Sequence, residues 1–275
     1  MNTFWRRFLG NPRVLSGAAW LGLVLATAIL APLLAPLDPF EIVDRPFLKP
    51  SLVHPFGTDS LGRSMWAGLA YGARTTLVIA FASTVASVAF GTVMGALAGF
   101  YGGLIDDFLM RLTEFFQTIP SFIFAIVLVA ILAPSATSLV VAIAVVSWPP
   151  IARVVRAEVL SVKAREFVQA AVLAGQADLA ILFRQVLPNT LSPLIVTGSL
   201  LVATAILLES ALSFLGLGAP NFMSWGFMVG AGRSFLRDAW WLVTIPGVAI
   251  LLTVLSINLV GEGLNDALNP RLSDL

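Results

Sequence analysis

The sequence predicts an all-α, polytopic membrane protein with six transmembrane helices, and three observations carry that expectation. Hydrophobic residues make up 58% of the 275 positions and charged residues only 11%, against about 25% charged in a soluble domain. The mean hydropathy is +0.94. Apolar runs recur along the chain, each long enough for the ~20-residue helix that a ~30 Å hydrocarbon core demands. The same figures exclude a soluble globule and a disordered chain. A net charge of +1 gives nucleic acid no electrostatic footing as a partner.

Ser16–Leu37 carries no charge and follows Arg6, Arg7 and Arg13. It is too long for the h-region of a signal peptide and no cleavage region follows, so it reads as a retained first span. Thr75–Tyr101 gives the second. From Phe115 to Ala152 the chain is uncharged, about 57 Å of helix, nearly twice the hydrocarbon thickness. The cluster Pro134-Ser-Ala-Thr-Ser138 breaks it into spans near 118–134 and 138–153. Gln185–Leu208 and Ala239–Gly261 supply the fifth and sixth. Ser210–Gly232 is also uncharged, but Gly216, Gly218, Pro220, Asn221, Gly226, Gly230 and Gly232 favour turns, so it is expected as an external loop that partly dips into the protein.

Orientation follows the Lys/Arg distribution. With the N-terminus in the cytoplasm, the inner segments hold ten cations: Arg6, Arg7, Arg13, Arg111, Arg153, Arg156, Lys163, Arg165, Arg184 and Arg271. The outer segments hold six: Arg45, Lys49, Arg63, Arg74, Arg233 and Arg237. Both termini are therefore expected inside. Trp5, Trp20, Trp66, Trp148, Trp225, Trp240 and Trp241 fall near span ends and read as interfacial anchors.

Chemistry is sparsely provided. Cysteine is absent and His54 is the single histidine, which excludes a thiolate metal site, a disulfide framework and a Cys/His nucleophilic pair. No catalytic residue, metal ligand or cofactor site is expected. The repeat Gly91-x-x-x-Gly95-x-x-x-Gly99 puts a small-residue groove on one helix face, for packing within the chain or against a partner. Glu209, just past the fifth span, is expected to snorkel or pair with a cation such as Arg233, or to serve as a gate or binding-protein contact.

The largest and most charged inner segment, 153–189, carries the strongest signal. Its composition suits two short helices broken at Gly175, with Ala170, Ala171 and Ala174 small enough for another surface to come close. Asp178 is placed to cap the second helix and Pro188 to mark entry into the next span. The spacing Gln169-Ala170-Ala171, then Gly175, then Leu187-Pro188 resembles the EAA loop of ABC-importer permeases. Two positions depart from that pattern: Gln169 replaces its glutamate and Gln185 an aliphatic residue.

Further stretches resemble the dipeptide/oligopeptide/nickel permeases. These are His54-Pro-Phe-Gly-Thr-Asp59-Ser-Leu-Gly-Arg63, Tyr71-Gly-Ala-Arg74, Leu187-Pro-Asn-Thr-Leu-Ser-Pro193, Glu209-Ser-Ala-Leu-Ser-Phe-Leu-Gly-Leu-Gly218 and Asn258-Leu-Val-Gly-Glu-Gly-Leu-Asn-Asp266. The combination fits the second, C-type, subunit. Ser64 stands where that family often has an acid.

The resemblance implies a type I importer fold and a pore-forming role without enzymatic activity of its own. Its partners would be a second homologous permease, two cytoplasmic ABC ATPases and an external substrate-binding protein, in a bacterial inner membrane. The EAA loop would couple ATP hydrolysis to alternating access, with di- or oligopeptides as the commonest cargo. The chain has no phosphate-binding Gly-rich loop ending in Lys-Ser/Thr, so the ATPase is a separate polypeptide. The implied organisation is 1–71 as tail, first helix and external loop, 72–265 as the transmembrane domain, and 266–275 as a cytoplasmic tail. The rivals are a self-contained secondary transporter or channel, and an accessory anchor without a pore. The first would place ionisable residues inside the spans.

Overall fold

The computed structural model describes Phe8 and residues 10–268. Trp5, Arg6, Arg7, Arg271 and the tail beyond 268 lie outside the described residues. The elements are α1 (Pro12–Ile29), α2 (Ala31–Leu34), α3 (Met65–Tyr101), α4 (Gly103–Thr118), α5 (Ser121–Leu132), α6 (Ala136–Lys163), α7 (Glu166–Leu173), α8 (Asp178–Ile181), α9 (Leu187–Leu212), α10 (Trp225–Gly232) and α11 (Trp241–Leu268). Among the described residues there is no strand, only isolated bridges Ile42↔Arg63 and Thr58↔Ser64 in the loop before α3.

Five helical stretches are long and apolar enough to cross a membrane, and a sixth crossing arises if the bent pair α4–α5 counts as one. That pair corrects the third expected span. Ser121–Leu132 has 12 residues, about 18 Å and too short to cross alone; α4 meets it at 86°. Ile119 is extended at φ −92, ψ 128, as the following Pro120 requires. The expected break at 134–138 falls at 133–135, where the Ser135 side chain caps α6 by accepting from the Ser138 N–H (3.0 Å). α6 runs on through Pro149 and Pro150 to Lys163, well past the expected end at 153, and so carries the 164–186 loop beyond the apolar zone.

The core is organised around α3 and α6, which lie side by side and parallel. A Cβ on Gly91 would sit 2.8 Å from Ile151 Cβ, one on Gly95 2.9 Å from Val155 Cβ, and one on Gly99 2.8 Å from the Arg156 carbonyl oxygen. The glycine stripe therefore packs within the chain. Beyond its Gly99 end Asp106 receives a bidentate pair from Arg156, Nε to Oδ1 and Nη2 to Oδ2, both 2.5 Å. The Lys163 ammonium donates to the Phe100 carbonyl at the C-terminus of α3, where the helix dipole favours a cation.

The segment 213–240 folds back on the bundle instead of forming a span. A π-turn, Ser213–Leu217, bends the chain with Gly216 at φ 84. α10 then packs on α9 so closely that a Cβ on Gly226 would sit 2.5 Å from Ser210 Cα. Of the glycines read as turn formers here, Gly216 has a left-handed backbone; Gly226, Gly230 and Gly232 are close-approach points.

Three tryptophans depart from the anchoring expectation. Trp148, Trp225 and Trp241 are buried; Trp225 Nε1 donates to the Leu69 carbonyl (2.9 Å) and Trp241 Nε1 to that of Thr58 (3.3 Å). Buried indoles need such acceptors. Trp240 is exposed.

Candidate functional site: the α7–α8 loop and the Glu209 cluster

The loop that leaves α6 is built to present one face and anchor the other. Gln169 Nε2 donates to the Lys163 carbonyl (3.0 Å), satisfying one orphan acceptor at the end of α6. α7 closes with the Gly175 N–H on the Val172 carbonyl (3.0 Å) and the Gln176 N–H on that of Ala171 (3.2 Å). Gly175 adopts φ +73, the left-handed closure that glycine takes without strain. Gln185 Nε2 then donates to Gln176 Oε1 (2.7 Å), bridging the two arms. A π-turn, Leu182–Val186, joins α8 to α9, one turn ahead of Pro188, whose missing N–H leaves the Arg184 carbonyl without its helical donor.

Asp178 departs from expectation. The cap residue is Ala177, with no side-chain cap bond, and Asp178 opens the first turn of α8 instead. Its charge still suits a helix N-terminus.

Burial divides the loop cleanly. Val168, Ala171, Ile181, Leu182 and Val186 are buried against Val155, Val159 and Val162 of α6. Gln169, Ala170, Ala174, Gly175, Asp178 and Pro188 are exposed, and Leu187 is half-buried. Ala171 therefore seats the loop on its own chain and offers no surface to a partner. Leu173 is 89% exposed, with Val172, Leu179 and Phe183 also out. These large apolar side chains stand exposed at the tip of a charged loop, a feature the sequence reading passed over in favour of the small residues, although their clustering about Gly175 is visible in the sequence.

Glu209 is fully buried, near the C-terminal end of α9. Ser213 Oγ donates to its Oε1 (2.7 Å), Thr76 Oγ1 to its Oε2 (3.2 Å), and Ser210 Oγ lies at 3.5 Å. The Trp225 N–H in turn donates to Thr76 Oγ1 (3.3 Å). One carboxyl group thus ties α3, α9, the π-turn and α10 together. Pairing with Arg233 does not occur: that guanidinium donates to the Phe214 carbonyl (3.2 Å) and lies 5.3 Å from the Phe214 ring centroid. Glu209 has no surface to offer a binding protein in this conformation.

Outside the spans, His54 Nε2 lies 3.0 Å from Asp44 Oδ2. The Arg45 backbone N–H, and then His54, hold the Asp44 carboxyl below its usual range. No group of three His, Cys, Asp or Glu among the described residues is arranged to hold a metal.

The description "binding-protein-dependent transport system inner membrane component" matches residues 91–274, and "N-terminal TM domain of oligopeptide transport permease C" matches residues 1–50. The di/tripeptide transport system permease protein DppC of Pseudomonas aeruginosa is 41% identical over 283 residues, covering 100% of this chain and 93% of the relative. The dipeptide transport system permease protein DppC of Haemophilus influenzae is 39% identical, covering 99% and 95%. The glutathione transport system permease protein GsiD of Pectobacterium atrosepticum is 38% identical, covering 98% and 90%. Among solved structures, a chain of the MetNI methionine ABC transporter in an inward-facing form superposes with a TM-score of 0.62 at 19% identity, covering 74% of this chain and 97% of that one; at that identity the likeness speaks for the fold.

Proposed function

This chain belongs to the family of binding-protein-dependent transport system inner membrane components, and from that premise we propose that it is the second permease of an ATP-driven importer of short peptides. It is a multi-pass membrane transport component with the importer-type all-α fold. The peptide cargo is supported by the names its relatives carry. The working complex pairs it with a homologous permease, two cytoplasmic ATPases and an external binding protein. The 164–186 loop and both termini face the cytoplasm of a bacterial inner membrane, in keeping with the Lys/Arg bias. The chain divides functionally into residues 1–71, a transmembrane domain at 72–265 and a tail at 266–275.

The observation that carries the coupling role is the exposed apolar tip on a firmly seated loop. Leu173, Leu179 and Phe183 stand out while Ala171, Ile181 and Leu182 are locked against α6. A groove in an ATPase would cover the tip, and any shift of the ATPase would move α6 and α9 through the buried face. Gln169, Ala170, Ala174, Gly175 and Asp178 border the contact, and Leu187 and Pro188 pass its motion into α9. Burying one leucine gives about 1.5–3 kcal/mol, and 1.4 kcal/mol is about tenfold in affinity. Leu173→Asp should therefore cut ATPase co-purification at least about tenfold at unchanged membrane level. Undiminished co-purification of the Leu173→Asp, Leu179→Asp double variant would refute the docking role.

A further inference from the structure

A cleft of about 620 Å³ opens between α1 and α3, apolar except at one end. Leu25 and Ile29 line it from α1, Val78 and Phe81 from α3, and all four are exposed. Val202 of α9 and Ile257 of α11 close its floor. Among the described residues Arg74 is the single charged side chain in the lining. Trp66 Nε1 donates to the Leu34 carbonyl (2.9 Å), which pins the start of α3 beside α2, just past the end of α1. From that bond Ile29 is five residues back along the chain and Arg74 eight residues on. The two therefore stand at the same end of the cleft, where α1 stops.

The Arg74 side chain is exposed and makes no ion pair or hydrogen bond among the described residues. No acid of the elements around it is within reach. α1 and α3 carry none, and Glu209 of α9 is closed off by Ser213 and Thr76. Glu262 of α11 lies at the far end: a Cβ on its neighbour Gly263 would meet Val14, about 22 Å along α1 from Ile29. A guanidinium on a membrane-spanning helix is costly unless it reaches the interface or meets a counter-charge. Its planar fork matches a phosphate through two parallel hydrogen bonds. The rest of the cleft is hydrocarbon surface of the kind that water leaves empty.

We propose that this cleft is a phospholipid site, with the phosphate of an anionic lipid on Arg74 and an acyl chain lying along the cleft toward Ala82 and Ile257. Basic pockets between membrane helices hold anionic head groups in this way. The unpaired charge sets the class of lipid. Phosphatidylglycerol offers Arg74 its whole negative charge, whereas phosphatidylethanolamine brings an ammonium that competes for its own phosphate. A helix of a partner subunit would have to bring an acid to the same spot. The inference stands on the membrane-spanning fold and is independent of the peptide cargo. A lipid seated there braces α1 against α3 where the two helices part.

The test uses the detergent-purified complex that contains the full chain, stripped of lipid and titrated with phosphatidylglycerol or phosphatidylethanolamine of identical acyl chains. Native mass spectrometry reads the lipid retained. Arg74→Gln should weaken the binding of one phosphatidylglycerol about tenfold, the scale of one charged hydrogen-bonded contact. Arg237→Gln, at an exposed arginine away from the cleft, should leave it unchanged. Ala82→Phe, which fills the cleft and spares Arg74, should weaken it as well, and excess inorganic phosphate should not displace the lipid. Equal retention of the two lipids by the parental complex would overturn the proposal, and that comparison needs no variant to assemble. Unchanged phosphatidylglycerol retention in both Arg74→Gln and Ala82→Phe would also overturn it. So would displacement by phosphate, which marks an anion site without a lipid, or loss of a partner subunit from Arg74→Gln with the lipid still bound, which marks a subunit seam.

Discussion

Glu209 decides how α9, the π-turn and α10 are held against α3. Its carboxyl accepts from Ser213 and Thr76, and Thr76 also accepts from the Trp225 N–H. Replacing it with leucine leaves those hydroxyls unpaired, at about 1–3 kcal/mol for each buried group stranded. Glutamine keeps an oxygen acceptor, and its amide can donate to hydroxyl oxygens. Glu209→Leu should therefore lower the melting temperature of the detergent-solubilised complex clearly more than Glu209→Gln does; equal melting would show that the cluster is not a tie. Ala171 teaches a related lesson. Small residues in the sequence could not tell a seat from a docking face, because both require close approach, and burial assigned Ala171 to the seat.

At the scale of elements, the glycine repeat on α3 was legible because small residues every fourth position have one geometric meaning. The partner was not, since the pattern is silent about which helix fills the groove. α6 fills it, and Gly95→Leu would drive a side chain into the Ala152 carbonyl and Val155. Overpacking costs about 1–3 kcal/mol in a core that can adjust, and a backbone atom adjusts little. Gly95→Leu should thus reduce the folded yield in detergent several-fold. Gly22→Ala, with nothing within 4 Å of the added Cβ, should leave the yield unchanged or raised, and size-exclusion chromatography measures both. The bent α4–α5 pair escaped the sequence for a physical reason. Spans were bounded by charge, and Asp106, Asp107, Arg111 and Glu114 pushed the boundary to residue 118. Those charges enter the bundle because Arg156 neutralises Asp106 and the rest lie on an exposed face. Glu209 lies near a span end yet does not reach for water, because the Ser213 and Thr76 hydroxyls satisfy its carboxyl inside the bundle.

At the scale of the whole molecule, parallel α3 and α6, the seated loop and the ties at Asp106–Arg156 and Lys163–Phe100 pack as one unit. It links the exposed Leu173 tip to the break at Ile119–Pro120. In the proposed complex, a shift at the loop would reach α4 through packed side chains and the Asp106–Arg156 ion pair. The most direct test is ATP-driven uptake of a labelled dipeptide by proteoliposomes holding the complete complex, comparing the parental chain with Leu173→Asp at matched membrane level. The parental complex should accumulate dipeptide only with ATP and binding protein present, and Leu173→Asp should lose at least about nine-tenths of that rate, the tenfold that one leucine's burial sets. Uptake by Leu173→Asp at the parental rate, or dipeptide accumulation by this chain without ATP, would contradict the account.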